Sequence, residues 1–304
     1  MTIESRPVSA ATIFRQKLAN GEFILAPGVY DGFSARVALE VGFDALYMTG
    51  AGSTASMHGQ ADLGISTLND MRQNAEMIAN LDPRVPLIAD ADTGYGGPIM
   101  VARTTEQYAR AGVAALHIED QVQTTKRCGH LAGKTVADRE TYIARICAAV
   151  QARRRINSDI ILIARTDALQ QHGYDEALAR LRAARDVGAD MGILEGPRSE
   201  EEARRIVADL APWPLLLNMV EHGVMPTVSA EEAKEMGFRV MVVPFAALAP
   251  AYRAMKEALR EFKETGVPKT GLSPQQIFRV CGLDEMVKID QEAGAANFQN
   301  GVDL

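Results

Sequence analysis

What the chain lacks narrows its class before any motif is read. No apolar run approaches the ~20 residues that span a bilayer, so no membrane segment is expected. The first residues, Met1-Thr-Ile-Glu-Ser-Arg-Pro7, hold neither the apolar core of a secretory signal nor the arginine-rich pattern of a transit peptide. Only three cysteines occur in 304 residues. That odd, small number suggests no disulfide framework, a reducing compartment and a cytoplasmic setting. Positive charge is in deficit: 32 Lys and Arg against 39 Asp and Glu give −7, which argues against nucleic acid or an anionic membrane as partner. No Gly-x-Ser-x-Gly elbow supports a serine nucleophile, and no low-complexity segment or second domain is visible.

What is present is a recurring unit. Short apolar runs appear at Phe23–Leu25, Ala45–Met48, Pro86–Ala89, Ala115–Ile118, Ile160–Ala164, Met191–Leu194, Leu215–Leu217 and Val240–Val243. Most are continuous rather than alternating, as parallel strands covered on both faces require. Helical patterns follow them, such as Arg139–Arg154 and Asp175–Val187. Gly42, Gly112, Gly188 and Gly237 close several helices just before the next strand, the place for a left-handed C′ residue. Eight evenly spaced strand–helix units spell an α/β fold, a (β/α)8 TIM-type barrel, over residues 1–264. Residues 265–304 read as a C-terminal helical extension: a linker, Gly266–Gly271, then Ser273-Pro as a helix start and one helical stretch over Gln275–Ala293.

In such barrels the active site forms at the C-terminal ends of the strands. Here those ends carry Tyr47-Met-Thr49-Gly50, Asp90-Ala-Asp92, His117-Ile-Glu119, Arg165-Thr-Asp167, Glu195, Asn218 and Pro244. Period-2 alternation lets Asp90 and Asp92, His117 and Glu119, and Tyr47 and Thr49 face one cavity in pairs. Asp90, Asp92 and Glu119, with Asp62 from the loop after the second strand, make an all-oxygen cluster that repels itself unless a cation sits in it. Hard oxygen ligands suit Mg2+ or Mn2+ better than zinc. Opposite these acids, Arg165 offers a fork for a substrate carboxylate, and the Thr49-Gly50-Ala51-Gly52 turn offers backbone N–H groups for another.

The stretch from Glu119 to His130 adds a thiol. Cys128 follows Lys126 and Arg127 and precedes Gly129 and His130. Fixed cations and an imidazole lower a thiol's pKa toward neutrality, where it can both give and take a proton. Gly129 and Gly133 are the flexible points of a loop that has to move to admit a ligand.

Taken together, Tyr-Met-Thr-Gly-Ala-Gly, Asp-Ala-Asp-Thr-Gly-Tyr-Gly, His-Ile-Glu-Asp-Gln and Lys-Arg-Cys-Gly-His, in that order, resemble the isocitrate lyase/phosphoenolpyruvate mutase superfamily from about Phe23 to Arg260. The cysteine loop is similar to that of its lyase branch, the 2-methylisocitrate and 2,3-dimethylmalate lyases, and is absent from the mutase branch. The resemblance implies Asp90 as direct Mg2+ ligand, with Asp62, Asp92 and Glu119 acting through waters. It implies Thr49, Gly50, Ala51, Arg165 and Asn218 as binders of a small dicarboxylate, with Glu195, Gly129, His130 and Pro244 around them. Cys128 becomes the proton donor, tuned by Lys126, Arg127, His130 and Glu119. Tyr47, helped by Arg165, takes the hydroxyl proton. A homotetramer with exchange of the C-terminal helices is also implied. The expected reaction is carbon–carbon cleavage of a 2-hydroxy dicarboxylate. The apolar segment Pro244–Pro250 favours 2,3-dimethylmalate, giving pyruvate and propionate, over 2-methylisocitrate or the oxaloacetate of acetylhydrolases. A barrel that binds a dicarboxylate without catalysis is the non-enzymatic alternative.

Overall fold

The computed structural model describes residues 8–129, 131–269 and 271–298. The chain opens with α1 (Ala10–Ala19), then β1 (Ile24–Val29), α2 (Gly32–Val41), β2 (Leu46–Met48), α3 (Gly50–His58) and α4 (Leu68–Ala79). It continues through β3 (Leu87–Asp90), α5 (Pro98–Arg110), β4 (Ala115–Glu119), α6 (Arg139–Arg155), β5 (Ile161–Thr166), α7 (Leu169–His172) and α8 (Tyr174–Asp186). The last barrel units are β6 (Met191–Leu194), α9 (Glu200–Leu210), β7 (Leu216–Asn218), α10 (Ala230–Glu235), β8 (Val240–Val243) and α11 (Leu248–Thr265). The eight strands form one parallel sheet in the order β6-β5-β4-β3-β2-β1-β8-β7. A parallel bridge between Gly192 and Leu215 joins its two ends. The result is the expected (β/α)8 barrel.

Two apolar layers hold it together. One lies inside the barrel, where Ile24, Ala26, Tyr47, Ile88, Ala115, Ile161, Ile163, Met191, Ile193, Leu216, Val240 and Val242 pack against each other and against Phe14 of α1. That helix plugs the bottom, and Arg15 fixes it there by donating to Asp190 at 3.0 Å and to the Asp159 carbonyl at 2.7 Å. The second layer lies between strands and outer helices and includes Met48, Leu87, Leu116, Leu162 and Leu217. Strand residues therefore alternate between the two layers, as the pleat dictates. The glycines read as helix ends, Gly42, Gly112, Gly188 and Gly237, all carry φ between 88° and 113°.

Three elements differ from the sequence reading. Strand β1 runs on to Val29, past the Leu25 read as its end, because β8 pairs with it as far as Pro27↔Val243 and β2 takes over at Gly28↔Tyr47 and Val29↔Met48, where Gly28 fits beneath Pro244. The single helix expected over 275–293 is two, α12 (Pro274–Val280) and α13 (Leu283–Glu292), divided by Gly282 at φ 86°. Its start is as read, with Ser273 capping and Pro274 in the first turn. Finally, α11 buries none of its residues, and Tyr252, Met255, Leu259 and Phe262 leave an apolar stripe at helical spacing uncovered. No helix among the described residues is long and apolar enough to cross a membrane.

The barrel seam yields a stability test. A Cβ on Gly192 would sit 2.3 Å from the Trp213 ring and 3.0 Å from Leu215, so Gly192→Ala is expected to destabilise by about 1–3 kcal/mol through overpacking. Urea denaturation reads this directly. An unchanged midpoint would mean that the seam has slack.

Candidate active site

The inward parity of the barrel interior continues, strand by strand, into polar residues. Ile88 is followed two places on by Asp90, Ala115 by His117 and then Glu119, and Ile163 by Arg165 and then Asp167. In the same way Ile193 leads to Glu195, Leu216 to Asn218 and Val242 to Pro244. The fold thus aims these side chains at one point on the axis, above the apolar plug. A small cavity of about 20 Å³ marks that point. It is lined by Tyr47, Thr49, Ala51, Asp62, Asp90, Glu119, Lys126, Cys128, Gly129, Arg165, Asn218, Pro244 and Phe245. A larger, mainly apolar cavity of about 600 Å³ lies beside it between Met219 and Pro250. The converging buried charges mark the smaller one as the chemical centre.

At its acidic pole stand Asp62, Asp90, Asp92 and Glu119. Strand β3 ends at Asp90, so the pleat does not aim Asp92; a left-handed backbone at Asp92, φ 53°, turns it back, and its N–H donates to Asp90 Oδ1 at 2.8 Å. Lys126 enters this cluster with Nζ 2.6 Å from Asp62 and 3.1 Å from Asp92. Burial opposes its charge, but Asp92, Glu119 and Asp62 prevail and hold the ammonium well above its ordinary pKa. Lys126 was expected beside the thiol; its ammonium also serves the carboxylates, which attract a buried cation strongly. Glu119 remains undercompensated. Burial pushes its carboxyl well above the usual range against the pull of Arg165 and Lys126, and its Oε1 is buried with no hydrogen-bond partner among the described residues.

This donor set fits a hard divalent cation. All its atoms are carboxylate oxygens, and one of them is buried without a donor. Among the described residues no three His, Cys, Asp or Glu side chains converge closely enough to chelate a metal by themselves. That suits an ion that keeps several waters and takes one or two direct carboxylates.

The opposite pole is cationic. Arg165 is 6% exposed and gives its Nε and Nη2 edge to Asp167 at 3.0 and 3.1 Å. Its Nε also lies 3.4 Å from Glu119 and 3.7 Å from Glu195. Asn218 Nδ2 donates to Glu195 at 3.1 Å, while Asn218 Oδ1 is buried without a partner. Thr49, Gly50 and Ala51 form the start of α3 rather than an isolated turn, with Thr49 as N-cap. First-turn N–H groups have no partner within a helix, which makes this end an anion site. A Cβ at Gly50 would lie 2.2 Å from Asp90 Oδ2, so only glycine lets the helix end approach the acid. Tyr47 Oη shares a 3.0 Å hydrogen bond with His117 Nε2, both wholly buried. Burial, then Asp90, raises the Tyr47 phenol well above its ordinary range.

Cys128 is half-buried on a loop seated over the cavity. Its N–H donates to the Asp62 carbonyl at 3.0 Å, and the Gln121 side chain clamps the Arg127 backbone, donating to its carbonyl and accepting from its N–H. The Arg127 guanidinium turns to the Ala132 carbonyl at 3.0 Å. Gly133 holds a left-handed backbone, φ 74°. His130 lies outside the described residues. Of the remaining predicted site residues, Glu195, Gly50 and Asp92 stand behind the cavity wall and the others line it. The sequence reading gave no role to His117, Gln121, Lys134 or Asp167. Strand parity already placed His117 and Asp167 at the mouth, whereas Gln121 and Lys134 carried no periodic signal.

The phosphoenolpyruvate phosphomutase family model matches residues 14–263. The chain is 37% identical to a 2,3-dimethylmalate lyase of Eubacterium barkeri over 287 residues, covering 93% of this chain and 98% of that one. The crystal structure of a 2,3-dimethylmalate lyase in a trigonal form is 68% identical, with a TM-score of 0.96 over 98% of this chain and 99% of that one. Oxaloacetate acetylhydrolase in complex with 3,3-difluorooxalacetate is 60% identical, with a TM-score of 0.93 over 95% and 99% of the two chains.

The acidic pole can be probed without a ligand. Lys126→Met leaves Asp62 and Asp92 facing each other in a buried site and is expected to lower stability at neutral pH by about 3–5 kcal/mol. A urea midpoint equal to that of the unaltered chain would show that the carboxylates do not depend on the ammonium.

Proposed function

The chain belongs to the phosphoenolpyruvate mutase/isocitrate lyase superfamily, and on that premise we propose that it is a carbon–carbon lyase that cleaves 2,3-dimethylmalate to pyruvate and propionate. The observation that carries this reading is the position of Cys128, in the wall of the same small cavity as Tyr47, Asp90, Glu119, Arg165 and Asn218. Pro244 and Phe245 give that cavity an apolar side suited to the substrate's methyl groups.

Mg2+, with Mn2+ as the alternative, would be held by Asp90 directly and by Asp62, Asp92 and Glu119 through waters, where it would polarise the 2-hydroxy and carboxylate oxygens of the substrate. The chain's own groups do the rest. Thr49 and the α3 N–H groups of Gly50 and Ala51 bind one carboxylate. The side of Arg165 not used by Asp167, with Asn218 oriented by Glu195, binds the other. Tyr47 takes the hydroxyl proton while its own phenol proton passes along the 3.0 Å hydrogen bond to His117 Nε2, as C2–C3 breaks and the C2 oxygen becomes the keto group of pyruvate. The electron pair of the broken bond passes to C3 and spreads into its carboxylate. Cys128 gives its S–H proton to C3, which completes propionate. The closed loop, with Gly129 against Arg165 and His130 next in the chain, excludes water that would compete for that carbon.

Oxaloacetate acetylhydrolysis is the second reading, favoured by the 60% identical neighbour. Against it stands the apolar side that Pro244 and Phe245 give the cavity. For assembly, we take α11 and residues 265–304 as an arm of the same domain that exchanges between subunits of a homotetramer. The uncovered stripe on α11 supports this, since contiguous exposed apolar surface marks an interface. A cytoplasmic setting is supported by the small, odd number of cysteines in the sequence.

Keto-acid release, coupled to a dehydrogenase and measured over a panel of malate derivatives, tests the reaction. Release is expected to be greatest from 2,3-dimethylmalate and to vanish with EDTA, whereas no release from any derivative would favour a binding protein. Cys128→Ala is expected to lower turnover by at least ~10² while substrate binding persists; near-normal turnover would remove the thiol from the mechanism. Sedimentation is expected to show a tetramer that Phe262→Glu dissociates.

A further inference from the structure

Two buried charges at the barrel mouth take no part in the chemistry above. Lys134 is 6% exposed and Asp167 1% exposed. Asp167 accepts from Arg165 with both oxygens, at 3.0 and 3.1 Å. It is anchored from behind, because its N–H donates to Asp120 Oδ1 at 2.9 Å, and Asp120 in turn accepts from Thr166 Oγ1 at 2.6 Å and Arg180 at 3.0 Å. Lys134 Nζ reaches Asp167 Oδ1 at 2.7 Å and, with a second proton, the carbonyl of Gly129 at 2.6 Å. Burial alone would raise the Asp167 carboxyl, but Arg165 and Lys134 overcome it and hold the group ionised below its ordinary range.

One ammonium therefore ties the backbone beside Cys128 to the carboxylate that aims Arg165. The other side of the contact is equally tight. A Cβ at Gly129 would lie 2.3 Å from Arg165 Nη2 and 3.1 Å from Glu195 Oε1, so the loop seats fully only with the guanidinium in this orientation. A long lysine side chain loses ~1.5–2 kcal/mol of rotamer freedom when fixed, and Asp167 already has Arg165 and its own N–H bond. Packing alone does not call for a cation here.

We infer that Lys134 is a positioning residue that makes loop closure and the aiming of Arg165 a single event, through Asp167 on one side and the Gly129 carbonyl on the other. The inference rests on the reading of Arg165 as substrate binder and of the cysteine loop as a lid. In this account the lid comes to rest when the arginine is correctly turned, so the thiol is presented only to a substrate already held by its carboxylate. Loosening the tie then affects binding and turnover together, as in other gated sites.

The test uses the intact protein and compares Lys134→Met, which keeps the length and removes the charge, with Lys134→Arg. Hydrogen exchange is followed without ligand in peptides covering 121–136 and in those covering β4 and β5. Lys134→Met is expected to speed exchange in the loop by about tenfold or more, with the strands unchanged. It is also expected to reduce kcat/KM by ~10², with kcat falling and KM rising together; Lys134→Arg should recover most of both. Loop exchange equal to that of the unaltered protein overturns the inference. So does exchange that rises equally in β4 and β5, which marks a merely structural lysine, and so does a fall in kcat alone. The exchange measurement needs no substrate, so it decides the tie even if no malate derivative is cleaved.

Discussion

The structure depends on balancing charge where water has been excluded. Six carboxylates, Asp62, Asp90, Asp92, Glu119, Asp167 and Glu195, gather within the mouth of one barrel, and Lys126, Lys134 and Arg165 are cations that face them. Removing a buried charge from water carries a penalty of several kcal/mol, recovered only when partners are close and geometry is good. The barrel supplies that geometry for Asp90, Glu119, Arg165, Asp167 and Glu195, which stand on or just beyond strands, while loops bring in Asp62 and Lys126. Glu119 shows where the balance is incomplete, with one oxygen unpartnered and its carboxyl pushed upward. A divalent cation would complete it.

The same constraint separates rigid parts from moving ones. The acids and Arg165 sit on or near strand ends, behind apolar layers that fix their backbones. Cys128 belongs to a loop held by a few discrete bonds: Cys128 N–H to Asp62, the Gln121 clamp on Arg127, and Lys134 to Gly129 and Asp167. Such contacts can break together and reform together. In the proposed reaction, a thiol delivered this way would meet the reacting carbon only after the site is assembled.

Much of this could be read from residue order. Continuous apolar runs at even spacing gave the barrel, and polar residues at the ends of those runs gave Tyr47, Asp90, Glu119, Arg165 and Asn218, because period-2 alternation is a property of the chain itself. What escaped the reading depends on long side chains crossing between elements. Lys126 lies beside Cys128 in sequence, yet its ammonium serves Asp62 and Asp92, and only the folded positions of those acids reveal this. Lys134 and Gln121 lie on an irregular loop with no period to follow. The split at Gly282 was visible as a glycine, but a lone glycine inside a helical pattern does not dictate a break.

The central claim is that a substrate held by Arg165 is protonated by Cys128 from one face, under a closed loop. Cleavage of 2,3-dimethylmalate in deuterium oxide measures this directly, because the solvent-exchanged thiol would place one deuterium on C2 of propionate and make that carbon chiral. The account predicts singly deuterated propionate of one configuration. A mixture of both configurations would mean that free water quenches a released fragment, and it would contradict the account.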